Sequence, residues 1–355
     1  VGSEMCIRDR WSNLTDFPVY DLKPERTNSF EVGMNMRFLK NFELDVTYYN
    51  AKTMNQTFNP ELPVGEYARI YIQTGAVRNQ GLELALNYNN TWKDFTWNTG
   101  VTYSMNKNKI LTLADNAINP ITHEKFSISS LNMGGLGSTR FILKEGGSMG
   151  DIYSLMDLKR DANGAVYIDE NNSVVTESLE ANNYIKLGSV LPKGNLAWRN
   201  NFSWKNINVA FLVSARLGGV VFSRTQAVLD NFGVSEASAA ARDKGYVSVN
   251  GNDRVNPEGW YSVVAGGTAV PQYYIYSATN IRLQEASIGY TIPRKWLGNV
   301  CDIKVSLIGR NLWMIYNKAP FDPESVASTD NFYQGIDYFM MPSLRNICLL
   351  YTSPS

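Results

Sequence analysis

Hydrophobic and polar residues alternate with a period of two along residues 80–106. In the first arm of this stretch Leu82 and Leu86 lie on one face, and Glu83 lies on the other. Such alternation predicts strands, because successive side chains of a strand point to opposite faces of a sheet. The short polar stretch 90–94 is typical of a hairpin connection. We therefore predict an antiparallel hairpin around which the other elements are arranged.

The two arms of this hairpin are long for a soluble sheet. Each alternates over a length that matches the roughly 9–11 residues of a membrane-crossing strand, whereas an ordinary soluble strand has about five or six. One face is aliphatic and aromatic, and the other is polar with little charge. This pattern is typical of a strand with lipid on one side and a wet lumen on the other. A soluble sandwich would show the same alternation in shorter strands.

Similar alternation predicts further strands along the chain, about 10–11 in all. Two of them, 273–291 and 303–316, change phase near residues 285–286 and 309, which predicts β-bulges. A short helix is expected at 235–245. The other predicted strands are 30–38, 42–58, 67–74, 151–159, 193–205, 207–217 and 338–347, with a brief pairing at 141–144.

The connections between these strands alternate in length. Tight turns are predicted at 40–41, 90–94 and 206, and long excursions at 107–150 and 218–270. Outer-membrane barrels have this asymmetry, with short periplasmic turns and long extracellular loops, whereas such loops are uncommon in a compact soluble domain. The predicted fold class is all-β: a transmembrane antiparallel β-barrel, partial, with long extracellular loops.

The two ends of the chain do not share the alternation. Residues 1–10 and 348–355 resemble translated sequencing-adapter read-through, although ordinary disordered termini would read the same way. We therefore expect both segments to be non-native, and 11–347 to be an internal part of a longer barrel protein. Cys301 would then be the single native cysteine, which leaves no disulfide framework.

Composition narrows the class of protein. Charged residues make up 19% of the chain, below the roughly 25% of a typical soluble domain. The formal net charge is zero, so no basic surplus indicates a nucleic-acid partner. No apolar run reaches the about 18 residues of a transmembrane helix. A strand-built membrane protein remains open, because each of its strands has only one apolar face.

Candidate catalytic and metal chemistry is sparse. The chain has one histidine, His123, in a long loop, where a surface position is the simpler interpretation than a catalytic triad. Oxygen ligands at Asp161, Asn163 and Asp169 suggest a calcium loop, but the glutamate expected at the twelfth position is missing, and an Asn-Gly turn is the alternative. We expect no enzyme activity and no cofactor.

Aromatic residues divide into two groups. Those at or near strand positions are typical of a girdle at the lipid–water interface: Trp92, Trp97, Trp198, Trp204, Trp296 and Trp313. Those in the long loops could stack on sugar rings, or could simply pack within the loops. The candidate substrate-binding residues are Phe232, Trp260, Tyr261, Phe332 and Tyr333.

Several segments, taken in order, resemble the SusC/RagA-like TonB-dependent outer-membrane transporters of Bacteroidota. Each segment alone is weak, and the series is specific because its order and spacing cover nearly all of 28–347. The segments are Arg78 to Glu83, Trp97 with Asn106 to Asn108, Leu191-Pro192 with Trp198 to Ser203, Ile281 to Leu283 with Ile288 to Pro293, Gly309 to Leu312, Phe321 to Glu324, and Pro342 to Arg345.

The resemblance implies roughly the carboxy-terminal half of a 22-stranded barrel wall in the cell outer membrane, without the plug domain. It implies import of a glycan, an oligosaccharide or a peptide. It also implies contact with outer-membrane lipid, with a SusD-like surface lipoprotein and, through the plug, with the TonB complex. The alternative is a soluble secreted all-β carbohydrate-binding module. The two differ in whether the apolar strand residues face outward or meet in a core: Leu82, Leu84, Leu86, Val209, Phe211 and Val213.

Overall fold

The computed structural model describes residues 24–58, 72–118, 125–267, 269–298, 300–328 and 333–352. Its largest element is a nine-stranded antiparallel sheet, which we call the wall. The wall strands are β1 (Arg26–Phe38), β2 (Phe42–Phe58), β3 (Ile72–Trp92), β4 (Phe95–Thr112), β13 (Gly194–Trp204), β14 (Ile207–Leu217), β19 (Asn280–Ile292), β20 (Ile303–Asn317) and β22 (Asn346–Thr352). They are adjacent in this order, so each pairs with the next wall strand along the chain.

Shorter elements fill the long connections between wall strands. The strands are β5 (Ala114–Ile118), β6 (Lys125–Ile128), β7 (Ser130–Asn132), β8 (Thr139–Lys144), β9 (Asp151–Ser154), β10 (Met156–Leu158), β11 (Thr176–Ser178), β12 (Ile185–Ser189), β15 (Val220–Ser223), β16 (Val247–Val249), β17 (Asp253–Val255), β18 (Ile275–Ser277) and β21 (Ile336–Asp337). The helices are α1 (Arg224–Asn231), α2 (Glu236–Lys244) and α3 (Pro257–Val264), with 3₁₀ turns at Ala181–Asn183, Pro271–Tyr273 and Arg294–Leu297. No helix in the described ranges is both long and apolar enough to cross a bilayer.

The wall strands have the length that the alternation predicts. β2, β3 and β4 contain 17, 21 and 18 residues. Their register pairs Leu84 with both Val46 and Tyr103, so apolar residues form continuous rows across strands. Among the described residues, β1 and β22 each pair on one side only, and the sheet is therefore open at both edges.

The apolar face of the wall is not covered by a second layer. None of the six diagnostic residues of the central strands is buried, and Val209 is 38% exposed. Ile288 on β19 is 54% exposed. Burial of such side chains is the main source of stability in a soluble sheet, so their exposure indicates that lipid covers this face. The soluble-module alternative, in which these residues form a core, is not favoured.

An aromatic belt crosses this apolar face near the short-turn end of the strands. Ring centroids of successive members lie 4.7 to 6.2 Å apart. The belt consists of Phe38, Phe42, Tyr88, Trp97, Phe202 and Phe211. Rings at this height are typical of a membrane–water interface.

The larger buried core lies in the long connections, and a smaller one joins Val77 of β3 and Ile110 of β4 to the first of these connections. We call the described parts of 113–193, 218–279 and 318–345 the cap. All three connections contribute to one cluster, for example Phe141, Phe222 and Ile336, each at most 1% exposed. The cap is therefore a packed layer at the loop end of the strands, opposite the short turns.

Several predicted elements differ from the structure. β3 is one continuous strand from Ile72, whereas the sequence predicted a strand at 67–74 and a separate hairpin arm; residues 59–71 lie outside the described residues. The strand predicted at 273–291 is interrupted, because β18 turns into the cap before β19 begins. The last strand starts at Asn346 instead of residue 338 and includes residues 348–352, whose non-native origin stays a prediction.

Other predictions are confirmed. The helix expected at 235–245 is α2, with Ser235 as N-cap and Gly245 in the left-handed conformation after its last turn. The bulge predicted near 285–286 lies between Leu283 and Glu285, and on β20 the same slip falls at Asn311, close to the change of phase predicted near 309. At the suggested calcium loop, the Asp161 carboxylate accepts hydrogen bonds from backbone amides of Asn163 and Ala165, as in an Asx turn.

Candidate functional site

The polar face of the wall encloses a hollow of about 600 Å³. Side chains from six strands, together with one residue of the cap, line the same hollow, so the sheet curves with its polar face inside. The polar lining residues are Asp45, Thr47, Glu83, Thr102, Ser104, Asn195, Ser214, Arg216, Gln284 and Glu324. The arrangement is a hydrogen-bonding surface suited to a polar solute in a wet lumen.

The pairing register of the strands explains why this concave face is polar, as one row of cross-strand partners shows. Thr47, Glu83, Ser104, Asn195 and Arg216 are successive partners across five neighbouring strands. Partners in one row point to the same face, with Cβ atoms about 4.5–5.5 Å apart. Strict alternation within each strand therefore places a continuous polar band along the hollow.

A buried ion-pair cluster joins the cap to the loop end of β19. Arg282 Nη2 lies 3.0 Å from Asp322 Oδ1 and 3.1 Å from Glu324 Oε2. The side chains of Arg282 and Asp322 are only 6% and 9% exposed. Asn280, which lies on β19 like Arg282, donates a hydrogen bond to Glu324 Oε1 at 3.2 Å. If the 318–345 connection moved off the wall, the pair would separate and a buried charge would lose its partner, which is strongly destabilising. These contacts therefore hold the connection on the wall.

The protonation of Asp322 follows from its partners. Burial by itself raises the pKa of this carboxyl, but hydrogen bonds from Ser343, from the Glu324 backbone and from Arg282 outweigh burial and hold the pKa below its usual value. The carboxylate therefore stays charged through the neutral range. Its second oxygen accepts from the Ser343 backbone amide at 3.3 Å, which connects the segment that leads into β22.

A second polar contact joins wall and cap at β3 and β4. Asn108 Nδ2 donates to Asn79 Oδ1 at 2.9 Å, and Asn108 Oδ1 accepts from the Met149 backbone amide at 2.8 Å. Asn106 also donates to Asn79 Oδ1, at 3.3 Å. The asparagines of two segments that carry the family resemblance thus hold the first long connection in place.

The cap has a groove of about 530 Å³ between its helices. It includes two of the predicted aromatic residues, Phe232 and Tyr261, beside the polar groups of Asp230, Arg242 and Glu258. Asp230 is 5% exposed and accepts hydrogen bonds from Gln226 at 2.8 Å and from the Tyr274 hydroxyl at 3.0 Å. Burial, reinforced by the charge of Asp230, raises the pKa of Tyr261, so its hydroxyl remains a donor at neutral pH.

The structure places the five predicted aromatic residues differently. Phe232 is 73% exposed at the groove, whereas Trp260 packs edge-to-face on Tyr273 with centroids 5.2 Å apart and contacts the cap core. Tyr333 is 44% exposed, lies near Gly134 and does not line the groove. Phe332 and His123 lie outside the described residues. Ligand contact by any of the five stays a prediction.

The sequence did not indicate Glu258 as a groove residue, because α3 was not predicted. Arg242 lies on the predicted α2, but the groove forms only where that helix packs beside α3. A signal was present at Asn256-Pro257-Glu258. Asn256 accepts from the Glu258 backbone amide at 3.0 Å as N-cap, and Pro257 occupies the first helical turn. Only a short apolar run follows Asn256 and Pro257 in the sequence, and this pattern favoured a loop over a helix.

Long antiparallel strands, an uncovered apolar face and a polar hollow define the wall of a transmembrane β-barrel. A family model described as TonB dependent receptor-like, beta-barrel, matches residues 11–312. The chain therefore belongs to the TonB-dependent receptor family, through the β-barrel part of that family.

Individual proteins are similar over nearly all of the chain. TonB-dependent receptor P3 of Formosa agariphila is 26% identical over 377 residues, which cover 95% of this chain and 35% of that protein. TonB-dependent receptor P26 of the same organism is 27% identical over 350 residues, covering 92% and 34%. The RagAB peptide importer in its closed-closed state has a TM-score of 0.67 at 17% identity, covering 93% and 35%, and shares the fold. The chain thus spans about a third of the length of the proteins it matches.

Proposed function

We propose that the chain forms wall and cap of an outer-membrane importer for a polar nutrient, either a glycan or oligosaccharide or a peptide. The observation that carries this proposal is the opposition of two faces on one sheet: an uncovered apolar face, and a polar hollow of about 600 Å³ on the other side. Such a sheet separates lipid from a wet passage. The wall is passive, and energy reaches it from the TonB complex through a plug domain, as the family resemblance implies.

The cap groove supplies the first contact with the nutrient under this proposal. Phe232 and Tyr261 offer aromatic faces, which stack on the apolar face of a sugar ring or on a peptide side chain. Asp230, Arg242 and Glu258 supply charged groups beside them. A SusD-like surface lipoprotein would cover the cap and retain the nutrient, as the resemblance implies.

Membrane fractionation of the native host tests the localisation. We expect the protein in the outer-membrane fraction, with release only by detergent, because lipid covers the apolar face. Recovery in aqueous buffer without detergent would count against the transporter and favour the secreted binding module.

Uptake by the host tests the role of the groove. The double variant Phe232→Ala/Tyr261→Ala should slow uptake of the nutrient by about tenfold, since each stacking contact contributes roughly 0.5–1.5 kcal/mol. Tyr167→Ala is the matched control, because Tyr167 is a 40% exposed cap residue that does not line the groove. Equal uptake by the double variant and the control would remove the groove from the proposal.

A further inference from the structure

Four cationic side chains cluster on the convex, lipid-side face of the wall, at the loop ends of β2, β3 and β4. Lys52, Arg78 and Lys109 are register partners across the three strands. Lys107 pairs with Gln80 in the next row toward the membrane. Partners on one face have Cβ atoms about 4.5–5.5 Å apart, and rows are about 7 Å apart, so one polyanionic group can reach all four. We call these four residues the cationic patch.

The register fixes the face on which the patch lies. Pairing of β3 with β4 runs without a slip from Val77 to Trp92, so Arg78 and Gln80 share the face of Leu82. The intervening residue Asn79 bonds to Asn108, which holds the cap from the concave side. The cationic patch therefore faces outward, like the apolar rows below it.

The patch begins where the apolar rows end. The nearest outward row below it contains Tyr48, Leu82 and Met105, of which Tyr48 and Met105 are 39% and 37% exposed. The next row toward the loops contains Asn50, Gln80 and Lys107. The row after that contains Lys52, Arg78 and Lys109, which are all cationic. In an outer-membrane barrel the loop end is external. The patch therefore lies at the level of the lipid headgroups in the outer leaflet.

Among the residues that the structure describes, no carboxylate compensates these charges. Within the described residues none of the four forms an ion pair, and the β1 partners in the two rows are Asn28 and Phe30. Arg78 Nε is shielded from solvent and has no hydrogen-bond partner within the protein. Like charges in neighbouring positions repel one another, so the arrangement favours an external anion.

We propose that the cationic patch binds the phosphate groups of an anionic glycolipid in the outer leaflet. Guanidinium and ammonium groups together suit phosphate, because arginine donates two parallel hydrogen bonds and lysine acts as a point charge. Basic clusters beside a membrane-spanning surface attract anionic lipid headgroups. The acyl chains of such a lipid would lie along the apolar rows, which a soluble anion cannot use.

Thermal unfolding of the receptor tests this inference. The protein is purified in detergent from the outer membrane of its host, with its co-purifying subunits, and stripped of lipid. Bisphosphorylated lipid A should raise the midpoint of unfolding, whereas dephosphorylated lipid A and inorganic phosphate should not. The variant Lys52→Gln/Arg78→Gln/Lys107→Gln/Lys109→Gln should bind bisphosphorylated lipid A at least about tenfold more weakly.

The matched control is Lys159→Gln/Arg160→Gln/Lys244→Gln/Arg254→Gln, which removes the same net charge from the cap and should keep the response. If the first variant fails to fold, Lys52→Gln/Lys107→Gln provides the same test, because both lysines are exposed. An unchanged response in the patch variant, or equal stabilisation by dephosphorylated lipid A, would overturn the proposal. Stabilisation by inorganic phosphate alone would also overturn it. Nutrient uptake is measured separately, so loss of the lipid response leaves the transport proposal standing.

Discussion

Gly81 is the position at which the wall leaves least room for a side chain. A Cβ atom there would lie under 3.0 Å from the Met105 carbonyl oxygen and from the Tyr49 ring. The carbonyl belongs to the β3–β4 ladder and cannot move without breaking that pairing, while the ring packs over the glycine from β2. The glycine of the Arg78 to Glu83 segment thus permits three strands to approach closely.

Gly81→Ala should therefore impair folding of the wall, and Gly33→Ala should not. At Gly33 a new Cβ would meet the Thr47 hydroxyl at 3.2 Å, and that side chain can rotate away. Heat-modifiable migration on a gel measures the folded fraction of each variant in the outer membrane. We expect a large loss for Gly81→Ala and near wild-type migration for Gly33→Ala. Similar migration of the two variants would contradict the packing argument.

Asp322 gives the attachment of the cap a pH dependence. Its folded pKa lies below the ordinary 3.8, so its contribution to stability is present above that value and is lost as pH falls through the folded pKa. Protease resistance of the 318–345 connection should be constant from pH 7 to about 5 and should decrease between about pH 4 and 2. Asp322→Asn should lower the resistance at pH 7 and flatten this acid dependence. An acid transition that persists in the variant would assign it to other carboxyls.

The cap is stabilised by its own buried side chains, and paired phenylalanines test this. Phe222 on β15 is fully buried in the cap core, whereas Phe232 after α1 is 73% exposed. Phe222→Ala should lower the free energy of unfolding of the cap by about 3–5 kcal/mol. Phe232→Ala should change it by less than about 0.5 kcal/mol. Limited proteolysis in urea reports the cap, and heat-modifiability reports whether the wall stays folded.

The wall strands could be predicted from the sequence because hydrophobic and polar residues alternate along a strand that has lipid on one face and water on the other. Apart from α2, most of the cap was not predictable, because its core residues come from three separate connections and show no local period. Phe222 and Ile336, for example, lie in short strands that pair with each other from distant parts of the chain, and Val166 forms only an isolated β-bridge. Phe232 and Tyr261 can be picked out from the sequence as loop aromatics, whereas Arg242 and Glu258 reach the groove only through their helix positions, and a ligand role for any of them stays a prediction.

Two adjacent residues of β4 test the orientation of the whole sheet. Val101 faces outward beside Leu86 and Trp198, and Thr102 lines the hollow. Val101→Arg should destabilise the barrel by about 2–4 kcal/mol, because arginine on the lipid face is costly near the midplane. Thr102→Arg should be tolerated in the wet lumen. Urea titration of the protein in detergent micelles or lipid measures the free energy of unfolding of both variants. A larger loss for Thr102→Arg than for Val101→Arg would mean that lipid covers the face assigned here to the hollow.

The wall and the cap meet at strand ends through polar contacts, such as those of Asn108 and Arg282, and through an apolar cluster that joins Val77 and Ile110 to Leu143. In the outer-membrane orientation proposed above, antibodies and bacteriophages that approach the cell would meet the cap and not the wall. Sequence change selected by such encounters could accumulate among cap residues without altering strand pairing below. The same membrane frame could thus display different outer surfaces during evolution, and grafting a cap between related receptors would require matching both the polar and the apolar contacts at the strand ends.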